Sequence, residues 1–126
     1  MTNRLLLVDD HELVRESIRL ALSGLPDIEV VGEASDGLQA VEAAARLQPD
    51  VVLMDLAMPC LDGVNATRLV LTSDPAVRIV VWTSAPSGGA QELAALAAGA
   101  VAVVYKDSPV DTVIEAIRSA VEVRSV

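Results

Sequence analysis

Residues 51–63 read VVLMDLAMPCLDG. Four consecutive apolar residues, two of them β-branched, mark a strand buried on both faces, and the run ends on an acid, Asp55. Beyond it Pro59 and Gly63 punctuate a loop, and Asp62 stands where the amino-cap of a helix belongs. An apolar strand, an acid at its carboxyl end, a loop and a helix together make the repeating unit of a parallel sheet.

The same unit recurs on both sides. Strand-type runs occupy residues 5–8, 28–31, 77–82 and 101–104 as well as 51–54. Between them apolar residues fall at helical spacing: Leu13, Val14, Ile18, Ala21 and Leu22, then Val41, Ala44 and Ala45, and finally Val110, Val113, Ile114, Ile117 and Val121. Gly24 and Gly99 stand where helices should stop, and Asp36 and Asp62 precede helix starts. Ser108, Pro109 and Asp111 predict a serine cap, a first-turn proline and an early acid for the last helix. Five strand–helix alternations imply an α/β fold: a doubly wound, flavodoxin-like five-stranded parallel sheet in the order 2-1-3-4-5, with helices on both faces.

Composition narrows the function. The 126 residues are 52% hydrophobic, which excludes disorder and suits one core. Nine basic residues against 18 acidic ones give a net charge of −9, so direct nucleic-acid binding by this segment is not expected. The longest nearly unbroken apolar stretch, residues 93–105, falls short of the roughly 18–20 residues of a membrane span. The start of the chain lacks the pattern of a secretory signal, which predicts a cytoplasmic protein with no membrane attachment. One cysteine, Cys60, and one histidine, His11, cannot build a zinc site, so any metal must be held by oxygen. Cys60 reads as an inert loop thiol and His11 as a surface residue at a helix start.

In such a sheet ligands bind beyond the carboxyl ends of the strands, where the winding reverses. Those ends carry Asp9 and Asp10, then Asp55, then Thr83 and Ser84, then Lys106. Three carboxylates facing one ammonium repel one another, and a hard divalent cation such as magnesium removes the excess charge. No glycine-rich phosphate loop is present, which argues against nucleotide or flavin binding. The chemistry that remains is a carboxylate accepting a phosphoryl group, with Asp55 attacking in line, Lys106 and the metal neutralising charge, and Thr83 bonding an oxygen.

LLLVDDH, VVLMDLAMPCLDG, VVWTSA and VVYKD, in that order over essentially the whole chain, resemble the signature blocks of the response-regulator receiver domain of two-component signalling. DDHELVRESI, VVGEASDG and the pair Lys106-Asp107 look most like the NarL/FixJ-type subclass. The resemblance implies that Asp55 is the phosphoacceptor, that Asp9, Asp10, Asp55 and the backbone carbonyl of Ala57 hold Mg2+, and that Thr83 and Lys106 bind the phosphoryl oxygens. In such acidic pairs the second residue usually meets the metal directly. The resemblance also implies a sensor histidine kinase as phosphate donor, a homodimer through the first or last helix, and an output domain. That output domain, a DNA-binding helix-turn-helix controlling transcription, is expected to be absent from a chain that ends at Val126, just past the fifth helix.

The sequence departs from the family in three places. Where receivers carry a switching aromatic, three residues before the lysine, stands Val103; Tyr105 lies on the same side of the strand, open to core packing or to a substitute switch. The loop SAPSGG after Thr83 predicts a mobile start to the fourth helix. Ala57 and Ala85, two residues beyond Asp55 and Thr83, are apolar and cannot orient water. Two competing readings follow from these departures. One is a phosphorylation-independent receiver-like interaction module; the other is a magnesium-dependent phosphatase with an aspartyl nucleophile, although its usual second acid is replaced by Ala57. The receiver itself is expected not to be an enzyme, only to assist its own phosphorylation and dephosphorylation.

Overall fold

The computed structural model describes residues 2–122; Val126, the expected end of the chain after the fifth helix, lies outside the described residues. Strands and helices alternate throughout: β1 (Asn3–Val8), α1 (Glu12–Leu22), β2 (Ile28–Ala34), α2 (Gly37–Leu47), β3 (Val51–Asp55), α3 (Gly63–Ser73), β4 (Arg78–Thr83), α4 (Ala90–Ala98), β5 (Ala102–Tyr105) and α5 (Val110–Glu122). All pairings are parallel, in the order β2-β1-β3-β4-β5, so the winding reverses between β1 and β3. The doubly wound α/β fold read from the sequence is the fold found.

Side-chain alternation along the strands divides the apolar residues between two cores. Leu6, Val8, Val52, Met54, Ile79 and Val81 face α2, α3 and α4, whose buried contributions are almost all alanine. Leu5, Leu7, Val51, Leu53, Val80 and Trp82 face Ile18 and Leu22 of α1 and Val113, Ile114 and Ile117 of α5. Both faces of β1, β3 and β4 are therefore buried, which is why these strands read as unbroken apolar runs.

Some boundaries differ from the sequence reading. β2 continues to Ala34, three residues past its apolar run, because it is an edge strand: it needs one partner only, and Glu33 turns to the arginines of α1 while the ladder to β1 continues as far as Val8 and Ala34. In α1 only Ile18 and Leu22 are buried; Leu13 is 79% exposed and Ala21 is exposed, as is Ala45 in α2. The buried stripes are narrower than the apolar spacing predicts, since each helix packs one face on the sheet and turns the rest to solvent. Helix α5 starts at Val110, and the Thr112 amide donates to the Pro109 carbonyl, so the proline sits at the boundary, one residue before its expected place. The other caps stand as read: Asp36 accepts from the Gln39 amide and Asp62 from the Asn65 amide, each at 2.8 Å.

Gly63 brings α3 against the end of β3. A Cβ there would lie 2.1 Å from the Asp55 carbonyl oxygen and 2.7 Å from the Leu56 Cα, both backbone atoms that cannot swing aside. Gly99, with φ of 117°, turns the chain out of α4 in the left-handed region. We expect Gly63→Ala to destabilise the protein by about 1–3 kcal/mol as the helix is forced off the strand end. Gly24→Ala, with nothing within 4 Å, should leave the urea unfolding midpoint nearly unchanged. Equal midpoints for the two variants would refute the close approach.

Candidate functional site at the carboxyl rim of the sheet

Three strands deliver the site. Asp9 follows β1 and Asp55 ends β3, and because Val8 and Met54 are in register the two acids emerge side by side. Lys106 follows β5, tied back by its amide to the Thr83 carbonyl at 2.8 Å. Its ammonium reaches across β4, lying 5.3 Å from the centre of the Trp82 ring, to end 2.6 Å from Asp9 Oδ2 and 3.3 Å from Asp55 Oδ1. Asp9 is fully buried and Asp55 only 3% exposed. Two carboxylates this deep repel each other strongly, and one lysine serves both.

The oxygens are unequally satisfied. Asp9 Oδ1 accepts from the His11 amide at 2.9 Å and lies 3.3 Å from His11 Nδ1, so both oxygens of Asp9 are engaged. Asp10, more open, stands 3.0 Å from the same imidazole nitrogen. Asp55 Oδ1 accepts a long bond of 3.4 Å from the Ala57 amide, whereas Asp55 Oδ2 is buried without any hydrogen-bond partner. An acceptor withdrawn from water and unpaired is costly unless a charge joins it. Asp9, Asp10 and His11 bring ligand atoms within 4.8 Å of one another, so an imidazole nitrogen joins the oxygens expected from the sequence, and Asp55 stands beside Asp9 on the same rim.

Burial, first, and the neighbouring Asp9 carboxylate push the Asp55 carboxyl up to about 6, against the opposing pull of Lys106. Burial alone would lower the Lys106 ammonium, but its hydrogen bond to Asp9 and the charges of Asp55 and Asp9 outweigh that and hold it above the usual lysine range.

The structure thus brings together Asp9, Asp55 and Lys106, while Asp10 stands on the more open side with Asp9 and His11. Thr83 is buried at the end of β4, its hydroxyl oxygen turned to its own loop, where it accepts from the Ala85 amide at 3.0 Å. Ala57 lies exposed in the loop after β3. Two supports were not anticipated. The Arg15 guanidinium donates to the Asp9 carbonyl and pairs with Glu33 at 3.1 Å, and Arg19 reaches the same carboxylate at 2.6 Å. This clamp from α1 to β2 fixes the peptide between the two acids, and its only sequence signal was a pair of arginines one helical turn apart. The second, Gly63, looked like an ordinary helix start.

A flavodoxin-like sheet with a lysine-crossed acidic rim defines a class of phosphoryl-accepting signalling domains. Residues 5–118 match the family described as "Response regulator receiver domain". The chain belongs to that family. It is 44% identical over 93% of its length to the transcriptional regulatory protein LiaR of Bacillus subtilis (strain 168), covering 55% of that protein. It is 45% identical over 86% of its length to protein-glutamate methylesterase/protein-glutamine glutaminase 5 of Myxococcus xanthus (strain DK1622), covering 31%. A two-component response regulator of the LuxR family from Aurantimonas sp. SI85-9A1 superposes with a TM-score of 0.92 at 38% identity, over 98% of this chain and 88% of that one. The chain spans about half the length of LiaR and a third of the methylesterase. It is a receiver domain with transcriptional regulators among its relatives, consistent with the NarL/FixJ-type resemblance, and its acidic pocket is of the kind at which receivers bind magnesium.

The raised Asp55 carboxyl has a thermodynamic consequence. An unfolded chain releases that proton near 3.8 and the folded chain near 6. Between those values the folded state holds more protons, so the contribution of Asp55 to stability falls as pH rises. In chelator, Asp55→Asn should gain about 2 kcal/mol on the wild type between pH 4 and pH 7. Urea titrations at both pH values check this; a constant difference between the proteins would contradict it.

Proposed function

We propose that Asp55 accepts a phosphoryl group from the phosphohistidine of a sensor kinase and that the modified rim switches an output domain. The observation that carries this reading is the buried, unpaired Oδ2 of Asp55, whose other oxygen lies 3.3 Å from the Lys106 ammonium. The carboxylate attacks phosphorus in line; the P–N bond breaks, its electron pair leaves on the histidine nitrogen, and an acyl phosphate remains on Asp55. Lys106, close to both acids, shifts toward the added negative charge, and Thr83 exchanges its bond to Ala85 for one to a phosphoryl oxygen. Asp10 and Asp55, with Asp9 behind them and the Ala57 backbone carbonyl, would hold Mg2+; when bound, the ion supplies positive charge against the developing phosphoryl oxygens. The unpaired Asp55 oxygen and the neighbouring carboxylates of Asp9 and Asp10 fit such an ion. Ala57 offers no second acid to protonate a leaving group, so the domain assists its own phosphorylation without being an enzyme.

The partners follow from the same reading. A groove of about 480 Å³ between α1 and α5, lined by Leu13, Val14, Ile18, Trp82 and Val113, runs up to Lys106 and offers the kinase an apolar seat beside the rim. Leu13 and Leu20, seven residues apart and both exposed on α1, are the surface for a homodimer. The output is a helix-turn-helix domain; its role in transcription is supported by the similarity to the transcriptional regulatory protein LiaR. Among the described residues no helix is long and apolar enough to cross a membrane, and we place the protein in the cytoplasm.

Incubation with magnesium and a small acyl phosphate, followed by mass spectrometry, tests this. One labile phosphate on the wild type and none on Asp55→Asn is the expected result; label retained by the variant, or continuous turnover of the donor, would overturn it. In thermal melts magnesium at a hundredfold excess over its Kd should stabilise the wild type by about 2.7 kcal/mol, an effect that Asp10→Asn should largely abolish.

A further inference from the structure

The loop after Thr83, six residues rich in glycine and proline that read as mobile, is fastened at both ends. At one end the Ala85 amide donates to the Thr83 hydroxyl oxygen at 3.0 Å. At the other the phenol of Tyr105 on β5 donates to the Glu92 carboxylate of α4 and lies 3.1 Å from Ser87 Oγ, while the same Glu92 oxygen accepts from the Gly88 amide at 3.1 Å. Tyr105 is therefore not a core residue. It is half-buried, in register with Thr83 and followed directly by Lys106. Glu92 is held below the usual carboxylate range, chiefly by the Tyr105 hydroxyl, and the phenol is held above its own, chiefly by Glu92.

Resting on the phosphoacceptor reading, we propose that the Tyr105–Glu92 hydrogen bond is a latch that holds the β4–α4 loop in its unphosphorylated position and so sets how readily this chain switches. The two residues that flank the loop in the sheet, Thr83 on β4 and Tyr105 on β5, pull it in different directions. A phosphoryl oxygen draws the Thr83 hydroxyl away from Ala85 and frees the near end of the loop. The far end, secured through Ser87, Gly88 and Glu92 to Tyr105, resists the displacement until the phenol lets go. Val103, where an aromatic ring would otherwise swing, is an aliphatic residue packed against the core under α4, so no buried ring has to move. Energy that such a ring would contribute through packing is replaced by a polar bond that can be made or broken at the surface.

The test uses the whole chain with magnesium and beryllofluoride, a phosphoryl mimic. Tyr105→Phe keeps the ring and removes the hydroxyl, so it should bind the mimic about fivefold more tightly than the wild type, at the low end of couplings between sites. Amide exchange over residues 84–92 should also be faster in this variant before the mimic is added. Glu92→Leu, which removes the acceptor of both the phenol and the Gly88 amide, should act in the same direction and at least as strongly, and the double variant should fall well short of the sum of the two. Equal affinity in wild type and Tyr105→Phe, or additive effects of the two changes, would overturn the latch and leave the phosphoacceptor reading standing. A wild type that takes neither phosphate from an acyl donor nor the mimic would overturn both.

Discussion

The structure depends on holding two carboxylates, Asp9 and Asp55, out of water and beside each other. Nothing in an ordinary core favours this: like charges repel, and burial penalises each. One ammonium, delivered by Lys106 across the face of Trp82, makes it tolerable without making it comfortable. Asp9 takes the closer contact and is fully satisfied; Asp55 is left with a long bond, a shared lysine and a buried oxygen facing no donor. The fold stores a deficit of positive charge at one atom group, and that deficit makes the site receptive to a cation and to chemistry that changes the charge on Asp55.

The rest of the architecture keeps this arrangement from relaxing. Residues with both faces buried run through β1, β3 and β4 to the rim, so the strand ends cannot spread to separate the acids. Gly63 lets α3 close on the backbone of Asp55, and Arg15, braced by Glu33, fixes the peptide behind Asp9. Away from the rim, support is local and replaceable: Asp27 and Arg118 join the β2 entry to α5 at 2.8 Å, and the Arg4 amide donates to Asp50 at 2.8 Å. Beneath the site the buried sheet positions the acids, and above it hydrogen bonds through Thr83, Glu92 and Tyr105 fasten the β4–α4 loop.

The winding, the strand order and the identity of the rim residues were legible because they follow from features that sequence displays directly: apolar runs of strand length, acids at their ends and a lysine after the last. Less legible was whatever depends on distance in space. Arg15 and Glu33 are eighteen residues apart, and only the pairing of β2 with β1 brings Glu33 to the guanidinium that holds the Asp9 carbonyl. The extension of β2 over Gly32 and Glu33 was hidden because an edge strand need not be apolar. Tyr105 left two roles open from alternation alone, since its side of the strand is the core side over Val103 but opens at the sheet's end, where the phenol finds Glu92 instead of packing.

Burial with one oxygen unpaired sets Asp55 apart from an ordinary surface acid, and its carboxyl carbon reports this directly. Carbon-13 NMR titration of the selectively labelled protein should show Asp55 losing its proton near pH 6 without metal, as its surroundings require, and at distinctly lower pH once magnesium is added. An Asp55 that titrates near pH 4 in both conditions would mean that the carboxylate is neither strained nor metal-linked, and the account would fail.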